Sequence, residues 1–165
     1  MVLFGWYTHF MNVEKIIREY LTKTVHMSLA SVRDNKPWVC EVHFAYDDDL
    51  NLYFRSLTSR RHSQEIADNP NVAGNIVQQY ELEVGCDGAI SFEGAAELMT
   101  DPAEREKVTR FFEAQLKPNK DILKEAEDPE GHQFYKITVS TWYAYGKFEG
   151  DTSAKQELPW NGGQK

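Results

Sequence analysis

Hydrophobic positions change period several times along this chain, and each change marks an element. Val13, Ile16, Ile17, Tyr20 and Leu21 fall at i, i+3, i+4, i+7 and i+8, the apolar stripe of a helix that Asn12 can cap. From Val25 the period becomes two: Val25, Met27 and Leu29 alternate with His26, Ser28 and Ala30, as in a strand with two unlike faces. The turn formers Asp34-Asn35-Lys36-Pro37 precede a second alternating run, Trp38, Cys40, Val42, Phe44 and Tyr46. Asp47-Asp48-Asp49 is too charged to bury and reads as the next hairpin turn, leading to Leu50, Leu52 and Phe54 in a third strand.

Residues 56–68 read as a short helix entered through Thr58 or Ser59 and stopped at Asn69-Pro70. Val72–Val77 and Ile90–Leu98 have strand character, with Gly94 marking a bulge or bend. Asp101-Pro102-Ala103-Glu104 combines a cap, a proline at the first helical position and a capping-box Glu, and Val108, Phe111, Phe112 and Leu116 supply the stripe of the helix that follows. Residues 117–131 form a polar connection, Phe134–Tyr145 a final strand, and the chain from Gly146 onward a tail with partial disorder. Six antiparallel strands with few helices, at this length, close most simply into a barrel: a mainly β fold with flanking helices.

Composition narrows the function. The 165 residues suit one domain, and 41% hydrophobic residues suffice for one core. No apolar run approaches the ~20 residues of a membrane-spanning helix. Met1–Phe10 lacks the basic start and cleavage site of a signal peptide. A net charge of −8 argues against a nucleic-acid partner, because duplex binding rests on Lys and Arg. Cys40 and Cys86 read as buried free thiols of a cytoplasmic chain, and the five His lack the spacing of metal ligands, so no metal is expected.

Against that acidic background, Arg55-Ser56-Leu57-Thr58-Ser59-Arg60-Arg61-His62 carries three Arg within seven residues, between a strand and a helix start. The first N–H groups of a helix lack internal acceptors and the dipole is positive there, which suits a phosphate. Ser56, Thr58 and Ser59 add hydroxyl donors, and the guanidinium forks of Arg55, Arg60 and Arg61 can grip phosphate oxygens in pairs. A capped helix with a solvated basic first turn is the alternative.

The run Leu52-Tyr53-Phe54-Arg55-Ser56-Leu57-Thr58-Ser59-Arg60-Arg61, ending at Asn69-Pro70, resembles the aromatic strand, Ser-Arg-Lys turn and Asn-Pro stop of the pyridoxamine 5′-phosphate oxidase-like FMN-binding split-barrel proteins. The hairpin of Met27–Val32 and Pro37–Tyr46, and Phe92–Leu98 through Asp101-Pro102, are similar to the family's opening hairpin and its later strand and helix start. The resemblance implies a six-stranded antiparallel split barrel over residues 1–150 with a C-terminal tail at 151–165. It implies FMN as cofactor, its phosphate held by Ser59, Arg60 and Arg61 and its ring along the backbone of Glu41, Val42 and His43. A second subunit would complete the pocket, which makes a homodimer the expected state, acting on a small-molecule substrate.

Departures from the family pattern restrict the activity. The family's strand Arg would fall near Val39 or Cys40 and its flavin-contacting Gln near Ala89, and neither is retained. The C-terminal Arg-Leu-His-Asp-Arg-like signature for the vitamin B6 substrate has no match at 142–160. The expectation is an FMN-dependent oxidoreductase of unknown substrate rather than a pyridoxamine 5′-phosphate oxidase. A haem-binding split barrel and a non-catalytic flavin-binding dimer are the alternatives. His43 is a further candidate for contact with the flavin or a substrate, Glu41 for an acid or base near the ring, and Trp142 and Trp160 for stacking near the flavin, each with a structural role as its alternative.

Overall fold

The computed structural model describes residues 13–77, 88–146 and 155–161. A first helix, α1, covers 13–21, and the other elements follow in the order β1 (His26–Arg33), β2 (Lys36–Tyr46), β3 (Leu52–Ser56), α2 (Arg61–Asp68), β4 (Asn71–Ile76), β5 (Gly88–Leu98), α3 (Pro102–Gln115), α4 (Ile122–Glu125), β6 (Gln133–Gly146) and β7 (Gln156–Pro159). The strands hydrogen-bond in the order β3-β2-β1-β4-β5-β6-β7, all antiparallel, and β3 also pairs with β6. That last pairing, Leu52 opposite Ile137 through Ser56 opposite Gln133, closes six strands into a barrel.

Local chemistry explains the joints. Asp34 and Asn35 both adopt positive φ, 51° and 58°, the combination a two-residue hairpin of matching twist requires and one that Asp and Asn tolerate. Asp47 closes the next turn by accepting from the Asn51 backbone N–H at 2.9 Å and the Tyr53 hydroxyl at 2.7 Å. The β5–β6 register shifts between Glu93 and Gly94, the expected bulge, and a Cβ on Gly94 would lie 2.3 Å from the Thr138 carbonyl oxygen. Asp101 caps α3 by accepting from the Ala103 N–H at 2.9 Å, with Pro102 at the first helical position.

Period-two alternation separates two cores. Met27, Leu29, Phe44, Phe54, Phe92, Ile137 and Trp142 fill the barrel interior, joined by Ile17 and Leu21 of α1. On the outer face, Ala45, Tyr53 and Phe134 meet Val108 and Phe112 of α3 and Ile122 of α4. With both faces covered, β3 is almost wholly buried and its alternation is blurred. Gln115 ties α3 to β2 through both the N–H and the C=O of Tyr46, at 3.1 and 2.8 Å.

Three expectations change. The polar connection 117–131 contains α4, capped by Asp121. Within the C-terminal tail, Gln156–Pro159 is a strand on the outer half of β6, and Trp160 is buried with its indole N–H donating to the Asp49 carbonyl at 2.7 Å. Cys40 is a free, half-buried thiol, its pKa pushed up by burial and then by Glu41 and Glu65. Asn12, Cys86 and Met1–Phe10 lie outside the described residues.

Candidate functional site

The turn after β3 and the start of α2 gather most of the candidate phosphate ligands. The Arg60 N–H donates to the Leu57 carbonyl at 3.1 Å, so residues 57–60 form a tight turn and α2 begins only at Arg61. This corrects the expected entry through Thr58 or Ser59: Arg60 is the N-cap, in extended conformation, and caps nothing with its side chain. No acidic residue stands in the first turn of α2. Thr58, Ser59 and Arg60 are exposed, and the Arg60 guanidinium has no hydrogen-bond or ion-pair partner among the described residues. A cationic side chain beside a positive helix terminus is electrostatically unfavourable until an anion joins it.

Arg61 is held instead. Its Nε donates to Glu65 Oε1 at 2.7 Å and its guanidinium lies 4.3 Å from the Trp38 ring centroid on β2. Glu65 is buried and also accepts from the Ser31 hydroxyl at 2.5 Å. That hydrogen bond depresses the Glu65 pKa against the opposing effect of burial, with Arg61 and Arg33 adding to the depression. The result is a rigid joint between α2 and the β1–β2 hairpin. On the other side of α2, buried His62 meets the Ser56 hydroxyl at 2.7 Å, and burial, then Arg60, lowers its pKa. Ser56 is therefore buried, tying the end of β3 to α2 through His62, not an exposed donor.

Arg55 leaves the cluster. Strand alternation sends it to the outer face, where it donates to Glu125 Oε2 at 2.7 Å and the His132 carbonyl at 2.9 Å and lies 5.1 Å from the Phe134 ring centroid. Burial opposes ionisation of Glu125, but hydrogen bonds from Lys120, Arg55 and His132 outweigh it and hold the pKa at about 2. The expected contribution of Arg55 to a phosphate site is replaced by a structural ion network under α4.

The ring-binding candidates lie on β2. Among the described residues, this strand pairs with β1 only from Lys36 to His43, and β3 joins it from Phe44 onward, so no described strand covers its second edge over the first stretch. Glu41 and His43 are exposed on the outer face and Val42 is half-buried against the barrel core. Glu41 accepts from the Ser28 hydroxyl at 2.8 Å, and His43 Nε2 lies 2.8 Å from His26 Nε2. Burial, then His26, lowers the His43 pKa. Trp38, 38% exposed, and Val39, 60% exposed, complete an open apolar stretch. Trp142 is fully buried in the barrel and Trp160 closes its rim, so both serve the core. Sequence reasoning missed Trp38 and His26; strand pairing with Ser31 and His43 was the signal that could have found them.

Closure of β3 onto β6, with the basic turn between β3 and α2 and an open edge on β2, is a split-barrel arrangement, and sequence and structure comparisons agree. The chain belongs to the pyridoxamine 5′-phosphate oxidase family, whose profile matches residues 13–146. A putative pyridoxamine 5′-phosphate oxidase from Listeria innocua superposes with a TM-score of 0.60 at 22% identity, over 79% of this chain and 95% of that one. A FAD-binding protein from Mesorhizobium loti gives 0.60 at 20% identity, over 79% and 90%. A heme binding protein from Mycobacterium smegmatis gives 0.63 at 15% identity, over 86% and 56%. No curated protein matches the sequence significantly.

Proposed function

We propose that the protein is an FMN-binding flavoprotein that works as a homodimer and transfers electrons to or from a small-molecule substrate. The observation that carries this reading is the Arg60 guanidinium, without a hydrogen-bond or ion-pair partner among the described residues, at the start of α2, next to a helix whose Arg61 is already fixed toward β2. Thr58 and Ser59 hydroxyls, the first-turn N–H groups and Arg60 fit a phosphate dianion in both charge and donor supply. The second edge of β2, which no described strand covers between Lys36 and His43, offers the backbone groups of Glu41 and His43 for the polar rim of the ring, while those of Val42 face β1; exposed Trp38 and Val39 offer apolar surface for its body or for a second subunit. Bound there, the flavin would supply hydride or single-electron transfer, while the protein sets its orientation and access.

In this reading Arg61 acts through its joint with Glu65 and Trp38 more than by direct contact, and Arg55 has no part. The family and a FAD-binding structural neighbour support a flavin, and the heme binding neighbour motivates haem as the competing reading. The visible spectrum of the purified protein separates them. Flavin absorption that sharpens on adding FMN, and bleaches with NADH or NADPH, supports an oxidoreductase; a Soret band with no flavin uptake overturns the reading. Flavin that binds but is never reduced leaves a binding protein without turnover.

A further inference from the structure

The five histidines are scattered in sequence, but the β1–β2 ladder sets two of them side by side. His26 and His43 are directly opposed cross-strand partners. The Phe44 N–H donates to the Val25 carbonyl at 2.9 Å, which makes Val25 and Phe44 a hydrogen-bonded pair and leaves His26 and His43 a non-hydrogen-bonded one, the kind that brings side chains closest. The rings have centroids 4.3 Å apart at an interplanar angle of 46°, and their Nε2 atoms are 2.8 Å apart. Both side chains are exposed, so an ion can reach them.

We propose that His26 and His43 form a two-histidine clamp for a divalent transition-metal ion on the outer face of the β1–β2 hairpin. Two imidazole nitrogens at about 2.0–2.1 Å from one metal stand about 2.9 Å apart at a right angle and about 3.4 Å apart at the tetrahedral angle. The observed 2.8 Å is about 0.1 Å short of the right-angle bite and about 0.6 Å short of the tetrahedral one, a gap that a small rotation of the two exposed rings closes. In the metal-free pair one Nε2–H donates to the other nitrogen; binding needs only that this ring pass to its Nδ1–H tautomer, with no net proton released from a neutral pair. Glu41 stands two positions from His43 on the same outer face and adds negative charge, with one oxygen engaged by Ser28. Among the described residues no group of three or more His, Cys, Asp and Glu is placed to hold a metal, so water completes the coordination. Imidazole donors select Zn²⁺, Ni²⁺ and Cu²⁺ over Mg²⁺ and Ca²⁺, with Cu²⁺ the tightest.

The clamp does not depend on flavin, and His26 has no part in the proposed cofactor site. The test is calorimetric titration of untagged protein with ZnCl₂, NiCl₂ and MgCl₂, beside H26A and H43A. One Zn²⁺ or Ni²⁺ per chain is expected, with no Mg²⁺ uptake and a higher melting temperature in the presence of Zn²⁺. Loss of either ligand should weaken binding by more than the roughly 10–100-fold that loss of an outer-shell partner causes. H132A, which removes another histidine, should bind as wild type. Wild-type affinity in both H26A and H43A, or no Zn²⁺ or Ni²⁺ binding to the wild-type chain, overturns the proposal, whatever FMN does.

Discussion

Arg60 and Arg61 are neighbours of the same type in the same turn, yet the structure assigns them different work, and single substitutions should separate it. Arg60→Ala removes an exposed guanidinium with no partner among the described residues, so folding stability should stay within about 0.5 kcal/mol of wild type. If it grips the cofactor phosphate, its loss should cost about 1.5–3 kcal/mol of binding, the worth of a charge-assisted hydrogen bond, or roughly a 10- to 150-fold weaker FMN dissociation constant. Arg61→Ala acts on Glu65, whose side chain is 3% exposed and keeps only its Ser31 bond after the change. The Arg61 side chain is 48% exposed, so solvent screens part of the interaction and the stability loss should be about 1–2 kcal/mol. For a chain of this size that lowers the melting temperature by about 2–8 °C. FMN fluorescence quenching measures the first quantity and thermal or urea unfolding of flavin-free protein the second. Unchanged FMN affinity in R60A refutes the phosphate assignment. Unchanged stability in R61A refutes the claim that Glu65 is an anchored joint.

The remaining expectations test other parts of the molecule. FMN-loaded protein should not oxidise pyridoxamine 5′-phosphate, because the family's substrate signature is absent; turnover near ~1 s⁻¹ in an oxygen-consumption assay would show otherwise. Glu125, with its folded pKa at about 2 against an ordinary 4.5, contributes stability that is complete above pH 4.5 and disappears as pH falls through 2. E125Q should therefore lower stability at neutral pH and flatten its acid dependence in that window; a wild-type pH profile in the variant contradicts the ion network. Trp160→Ala should cost about 3 kcal/mol by emptying a buried indole site and losing the bond to Asp49, and a melting temperature like wild type would mean that β7 contributes nothing to the barrel.

Alternation and turn chemistry made most of the barrel legible. Asp34-Asn35, the bulge at Gly94 and the Asp101-Pro102 helix start all fall where the residues placed them, because each rests on backbone rules of a few adjacent positions. What escaped was set by contacts across the chain. Arg55 read as a phosphate ligand because Glu125, its partner, lies 70 residues away on a four-residue helix too short to show a periodic stripe. The strand at Gln156–Pro159 has too few residues to show alternation, and it is held by its pairing with β6 and the burial of Leu158 and Trp160. The histidine pair depended on register, which becomes legible only once Asp34-Asn35 is fixed as the two-residue turn of the β1–β2 hairpin.

Barrel closure has a consequence for how the protein is made. The edge of β3 is sealed by residues 133–137, far downstream of Leu52–Ser56. During synthesis from the N-terminus, β3 can pair with β2, but its other edge must wait unpaired until that segment has been translated. At ~5–20 residues per second the interval lasts about 4–16 seconds, long compared with the microseconds in which a hairpin such as β1–β2 forms. The nascent chain is thus exposed to strand-to-strand association at this edge throughout that interval, and ribosome pausing anywhere in 57–132 would lengthen the hazard. Conditions that slow elongation before Gln133 should lower the soluble yield more than equal slowing after Ile137.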